Sequence, residues 1–541
     1  MEVSERIDGA HATPSPCGCF VAYIIPNAVR ISQIQELRRC EDFAVRVPNK
    51  EVTALKWSDG SSALAVCSAK LIEIVLPGHS SRRVRLGNGS GGLGRFVSAD
   101  FVGEEQLLTI WEFGKAKLWD LATGRGVEVG EVKTTCEGRT WQLRPAPVSG
   151  AVEALAILSR PAAEDVLTIY FPTQIKSLPP IKLPTTDAQA LSWSPDGRWL
   201  AILDTPTAAP SSVHFFTPDG HLFRSYPPAS SKETTHFLGI KSITWSLDST
   251  TVALGTHEGR IVLLSTRTFS HLALIEHISL ISQTALSASA RAPIWRETVS
   301  AYHARSFALA SQPFSPPLTR TIKPSSPEHF ELGTAEIRFS ATAAFLATRD
   351  ERMQSTVWLW DLATLAAHAV LVLHANVRRM CWHPEKEGVL MLECGEGVVY
   401  FFDAGRRDAA PEMVEVGLLA GMVAWVGGAE GKGAVFVTTR AGFRVVYPEG
   451  RDVTDSRGLS PVGGSSVLEY AEGESEDSLM EMLSGRKPMH KHSYTEEVDV
   501  QVGAEDEQDR SGGVLEDTFR EKRRVHEEEE ERDPFDDSQI F

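Results

Sequence analysis

Trp193–Ala201 reads WSPDGRWLA, and variants of that nonapeptide recur along the chain. WSDGSSALA starts at Trp57, WSLDSTTVA at Trp245 and FSATAAFLA at Phe339; SPCGCFVA from Ser15 and WHPEKEGVL from Trp382 are looser copies. Each has the same physical content. An apolar strand such as SITW runs into a turn whose Ser, Pro, Asp and Gly supply turn-compatible dihedrals and local hydrogen bonds. An apolar strand such as WLAIL or TVALG then returns antiparallel. A further short strand follows: KLIEIV, KAKLWDL, VHFFTP, RIVLLST, TVWLWDL or VVYFFDA.

The unit is therefore strand–turn–strand–turn–strand, with room for a fourth strand before the next copy. Candidates lie near residues 15–38, 52–76, 96–123, 141–172, 188–218, 240–266, 335–364, 377–404 and 420–448. Four antiparallel strands at a period of about 40–50 residues define a WD-type β-propeller blade. Helical periodicity is almost absent between residues 15 and 450, which removes βαβ alternatives. The predicted fold class is all-β, a propeller of seven to nine four-stranded blades built from degenerate repeats. The Gly-His dipeptide that usually opens such a repeat is missing.

The hexapeptide LWDLAT occurs twice, at Leu118–Thr123 and Leu359–Thr364. Both faces of TVWLWDL are large and apolar, Val357 and Leu359 on one side and Trp358 and Trp360 on the other. A strand with one wet face would alternate more cleanly, so this one is expected to lie between two blades. Asp120 and Asp361 end such strands, where a carboxylate can accept turn amides.

Charge and cysteine usage narrow the class further. Of the net charge of −17 over 541 residues, −11 lies in Lys491–Phe541, which holds 18 Asp/Glu against 7 Lys/Arg. The body is close to neutral and gives no electrostatic case for nucleic-acid binding. Seven cysteines at irregular spacings read as reduced intracellular thiols rather than a disulfide framework. No signal peptide is visible at MEVSERIDGA, and the apolar run Gly417–Ala429 is too short to span a bilayer, so a soluble protein with no membrane partner is expected. The expected organisation is a short extension at 1–14, a propeller at 15–450 and a disordered acidic tail at 451–541 with one short helix near Val514–Glu530. A Ser-, Pro- and Ala-rich insertion at 286–333 is expected to be largely irregular, with one strand around Ser306–Ala310.

Motifs with chemical meaning are sparse. Gly89–Gly94 fits G-x-G-x-x-G, but a strand-like RFVSADFV follows where a dinucleotide site needs a helix. Cys17-Gly-Cys19 lacks the second pair a zinc site requires, so it reads as a surface turn. His490 and His492 belong to a solvated tail, and Asp533-Pro-Phe535 is a single copy of a tripeptide that endocytic adaptors capture. No catalytic, metal or cofactor-binding residue is assigned, and the expected class is non-enzymatic.

Two longer stretches are more specific. LGIKSITWSLDSTTVALGTHEGRIVLL (Leu238–Leu264) and FSATAAFLATRDERMQSTVWLWDLATL (Phe339–Leu365) resemble the centrosomal and spindle-pole family of WD-repeat protein eight. SWSPDGRWLAILD and HFFTPDGHLFRSY resemble the blade between, and the similarity runs over roughly residues 15–448. The chain departs from the family at Gln354, where members usually carry proline, and only MEVSERIDGAHATP precedes Ser15. The resemblance, to a fungal member, implies a scaffold at the microtubule-organising centre or spindle pole body in the cytoplasm. Its implied partners are a coiled-coil anchoring protein, a minus-end-directed kinesin and a microtubule-nucleating complex; its implied role is tethering microtubule minus ends and supporting mitotic spindle assembly. The alternative is a propeller adaptor in translation initiation that binds ribosomal subunits. Candidate partner contacts in the family-like segments are Lys241, His257, Glu258, Arg349 and Trp358, the last of which also reads as packing between blades.

Overall fold

The computed structural model describes residues 1–450, apart from 27, 46, 49–50, 78–82, 88–93, 135–137, 146–152, 207–210, 228–238, 283–291, 320–331, 407, 420 and 428–432, together with 498–500. The expected tail helix, His490, His492, Asp533–Phe535, Cys136 and all of the 89–94 loop but Gly94 lie outside the described residues. A strand, Phe96–Val102, follows that loop.

Nine sheets succeed one another along the described chain, antiparallel except where Ile294–Arg296 joins Val370–Val372 and Val498–Val500 joins Val84–Leu86 in parallel, and no α-helix occurs among the described residues. Their innermost strands are Ala10–Pro14, Val52–Trp57, Phe96–Val102, Trp141–Leu143, Ala190–Trp193, Ile240–Trp245, Thr334–Phe339, Arg379–Trp382 and Met422–Val426. Each sheet is a blade, numbered one to nine in that order, and each packs on its neighbours through the apolar faces of its central strands.

The recurring nonapeptide explains the uniformity. In five blades the serine hydroxyl that opens the turn accepts a backbone N–H from four or five residues on: Ser15 from Phe20, Ser58 from Ala63, Ser194 from Trp199, Ser246 from Thr251 and Ser340 from Phe345. The residue three after that serine is left-handed in all five, Gly18, Ser61, Gly197, Ser249 and Ala343, with φ between 58° and 72°. Glycine adopts that conformation without strain and alanine does not. Ala343→Gly is therefore expected to stabilise the protein by about 0.5–1 kcal/mol, read from the urea midpoint; a lower midpoint would contradict the strain. Ser61 and Ser249 are poorer sites for that change, because their hydroxyls accept the N–H of Cys17 and Asp196 from the preceding blade's turn.

The tryptophan before the turn is the second device. Its indole N–H crosses to the preceding blade's innermost strand: Trp57 to the Thr13 carbonyl, Trp193 to Gln142, Trp382 to Arg338 and Trp425 to Cys381, at 2.8–3.2 Å. Trp245 reaches the Ser192 hydroxyl instead. One residue type thus fills the interface and satisfies its own polar atom there.

TVWLWD is buried on both faces as its composition predicts. Trp358 and Trp360 pack toward blade six, Val357 and Leu359 toward blade eight. Both LWDLAT copies end as expected: Asp120 accepts the amides of Ala122 and Thr123, and Asp361 those of Ala363 and Thr364. The missing Gly-His dipeptide has a partial substitute. His277, preceded by Glu276, hydrogen-bonds the Thr348 hydroxyl, which also receives the Trp360 indole N–H. Asp350 lies 3.5 Å from the other His277 nitrogen.

Two features differ from the sequence expectation. Residues 1–14, read as an extension, are strands. Ala10–Pro14 opens blade one, while Glu2–Val3 and Ile7–Asp8 pair antiparallel with Gly442–Tyr447 and complete blade nine. Residues 2–8 and 442–447 are thereby joined in one sheet, which covers the outer edge of Gly442–Tyr447. Within the insertion, Ile294–Val299 and Arg305–Leu309 form a hairpin rather than a single strand in irregular chain. Ile294–Arg296 pairs in parallel with Val370–Val372, so blade seven has six strands.

Candidate partner-binding surface

Four of the five sequence-chosen residues come together at one end of blades six and seven. Lys241 is the second residue of the innermost strand of blade six, after Ile240, which pairs with Thr256, and His257 and Glu258 form the next turn at the same end. Lys241 Nζ lies 3.9 Å from Glu351 in the corresponding turn of blade seven. Arg260 bridges Glu258 at 3.3 Å and Glu276 at 2.7 Å, and Arg349 faces Glu336 at 3.9 Å. This end of the two blades is a mosaic of paired cations and carboxylates, most of them only partly exposed, that could recognise a polar protein surface by charge pattern.

His257 is buried, with Nδ1 3.1 Å from the Leu332 carbonyl, and so supports the turn from below. Trp358 has no exposed surface and cannot touch a partner. Of its two sequence readings, packing between blades is the one the structure displays: Trp358 stacks on Trp360 with centroids 5.7 Å apart.

Asp350 anchors the blade-seven turn. It is fully buried, which raises its carboxyl pKa, but hydrogen bonds from Arg352 and His277 outweigh that and hold it well below the usual carboxylate range. The Gln354 side chain donates to Glu351 and accepts from Asn376, and its backbone N–H donates to the Thr319 hydroxyl. That backbone bond ties Thr319 of the insertion to this turn.

Sequence reasoning missed the hairpin, which adds a projecting element beside the mosaic. Its tip is Ser300–Ala304, where Tyr302 is 93% exposed. Its base is fixed by a buried charge. Glu297 accepts from Arg305 at 2.9 Å, from the Tyr400 hydroxyl at 2.8 Å and from the His374 N–H at 2.8 Å. Burial and Glu297 together push the Tyr400 phenol well above its ordinary value. Two runs of alternating character around SAYHA, IWRETV and RSFAL, were the available signal. Among the described residues no cluster of three His, Cys, Asp or Glu is arranged to hold a metal.

These features define a WD-type β-propeller of the scaffold or adaptor class. The chain is similar to an uncharacterized WD repeat-containing protein of Schizosaccharomyces pombe, 27% identical over 294 residues; the match covers 53% of this chain and 55% of that protein, about half its length. It is also similar to the WD repeat-containing protein WRAP73 of Mus musculus, 24% identical over 431 residues, 75% of this chain and 87% of that one. No family model matches the chain. Among solved structures it resembles a eukaryotic initiation factor with a TM-score of 0.48 and 12% identity, covering 77% of this chain and 90% of that one. The propeller assignment rests on the strand order above.

Proposed function

We propose that this chain is a non-enzymatic scaffold at the microtubule-organising centre or spindle pole body. In this reading it bridges a coiled-coil anchoring protein and a minus-end-directed kinesin, together with the microtubule-nucleating complex, and so tethers microtubule minus ends during spindle assembly. The observation that carries the reading is the similarity to the mouse WD repeat-containing protein WRAP73 along three quarters of the chain. The ion-paired end of blades six and seven and the adjoining hairpin support it as a polar docking surface.

Affinity purification of the tagged full chain from mitotic cells is expected to recover a coiled-coil protein and a kinesin. Recovery of ribosomal subunits instead would favour the translation-initiation alternative and overturn the proposal. Lys241→Glu places a second carboxylate beside Glu351 and is expected to weaken capture about fivefold, on the order of 1 kcal/mol, while changing stability by less than that. Unchanged recovery would remove Lys241 from the interface.

A further inference from the structure

The turn Ser15–Phe20 is built like its counterparts in blades five and six, with one chemical exchange. There the third turn residue is an aspartate: Ser194 Oγ donates to Asp196 and Ser246 Oγ to Asp248, each at 2.6 Å, and the N–H two residues further on donates to the same carboxylate oxygen. In blade one that position is Cys17, whose Sγ lies 3.2 Å from Ser15 Oγ. Its backbone N–H is held by Ser61 Oγ, as that of Asp196 is held by Ser249 Oγ. The repeat thus supplies, around a cysteine sulfur, donors that elsewhere stabilise an anion. A second thiol stands two residues on: Cys19, likewise exposed, with its Sγ 3.7 Å from the Cys17 carbonyl. Gly18 between them is left-handed, and a Cβ there would meet the Gly427 backbone of blade nine, so the two cysteines are linked by a residue that must be glycine.

We propose that Cys17 and Cys19 form a peroxide-reactive dithiol, Cys17 the attacking thiolate and Cys19 the resolving thiol. The thiolate attacks one oxygen of hydrogen peroxide; the O–O bond breaks, water leaves after taking up a proton, and Cys17 becomes a sulfenic acid. The Cys19 sulfur then attacks the Cys17 sulfur, its proton leaves with the hydroxide as a second water, and a Cys17–Cys19 disulfide forms. A dithiol reductant returns both thiols. The electrostatics run the same way. Partial burial raises the Cys17 thiol, yet hydrogen bonds from Ser15, Ser61 and Cys19 outweigh it and bring the net shift down. Burial and the neighbouring Cys17 both push Cys19 up, keeping it a thiol. Cys67 and Cys394 are buried, and burial pushes the Cys67 thiol up to about 12. Cys40 is exposed and serves as the internal control. This site is independent of the spindle-pole reading.

The test is a titration of the folded full chain with hydrogen peroxide, followed by alkylation and peptide mass spectrometry. The peptide holding Cys17 and Cys19 is expected to lose about 2 Da at peroxide concentrations that leave Cys40 fully alkylated, and to regain them with dithiothreitol. Cys19→Ser is expected to leave a dimedone-trapped sulfenic acid on Cys17, and Cys17→Ser to leave Cys19 alkylatable, with both variants melting as the parent does. Oxidation of Cys40 at the same concentration, or a sulfinic acid on Cys17 while Cys19 is present, would overturn the proposal.

Discussion

Trp358→Ala is expected to destabilise the propeller by about 3–5 kcal/mol in chemical denaturation. The indole has no exposed surface, stacks on Trp360 and lies 5.7 Å from the His277 ring at the junction of blades six and seven. Ile261, Leu263 and Ile275 of blade six and Leu346 of blade seven close around it, so truncation leaves a large cavity between rigid sheets. Trp358 Nε1 has no hydrogen-bond partner among the described residues, so its value is in packing. Trp358→Phe should then cost well under half as much. Trp360→Phe loses the bond to Thr348 as well and is expected to be the costlier phenylalanine substitution. A loss below about 1 kcal/mol for Trp358→Ala would mean that blades six and seven do not share this core.

Arg305→Ala is expected to cost about 3–5 kcal/mol of local stability at the hairpin, because it strands a buried carboxylate. The Glu297 side chain is fully buried, and its counter-ion Arg305 is shared with Glu396 of blade eight. Hydrogen exchange over residues 294–309 should accelerate while the nine blades stay folded. Adding Glu297→Gln removes the uncompensated charge and should restore much of the protection. Equal exchange in the single and double variants would contradict a charge-driven anchor.

The nine candidate units of the sequence each became a blade because their determinants are local. In blades two, five and six a serine, a left-handed residue and a tryptophan within nine positions set both the turn and the contact to the preceding blade, and blades one, seven, eight and nine keep part of that set. What escaped reading depends on distant partners. Glu2–Val3 and Ile7–Asp8 are too short for periodicity to show, and they pair with a strand at the other end of the ring. Ile294–Arg296 pairs in parallel with residues some seventy positions on, and its central strand carries Arg296 and Glu297 where an apolar run would have marked it. His277 lacked the glycine that would have announced it. At the candidate surface, sequence points to Lys241, His257, Glu258 and Arg349 as loop residues; His257 and Glu258 do form a turn, whereas Lys241 and Arg349 lie on the strands Ile240–Trp245 and Phe345–Asp350. For Trp358 the apolar composition of both faces of TVWLWD offers packing between blades beside the partner-contact reading, and that packing is what the structure displays.

The central claim is tested most directly by imaging a fluorescent fusion of the full chain in living cells through mitosis. The account predicts two compact foci at the spindle poles that persist to anaphase. A signal that stays diffuse in the cytoplasm throughout division would contradict it.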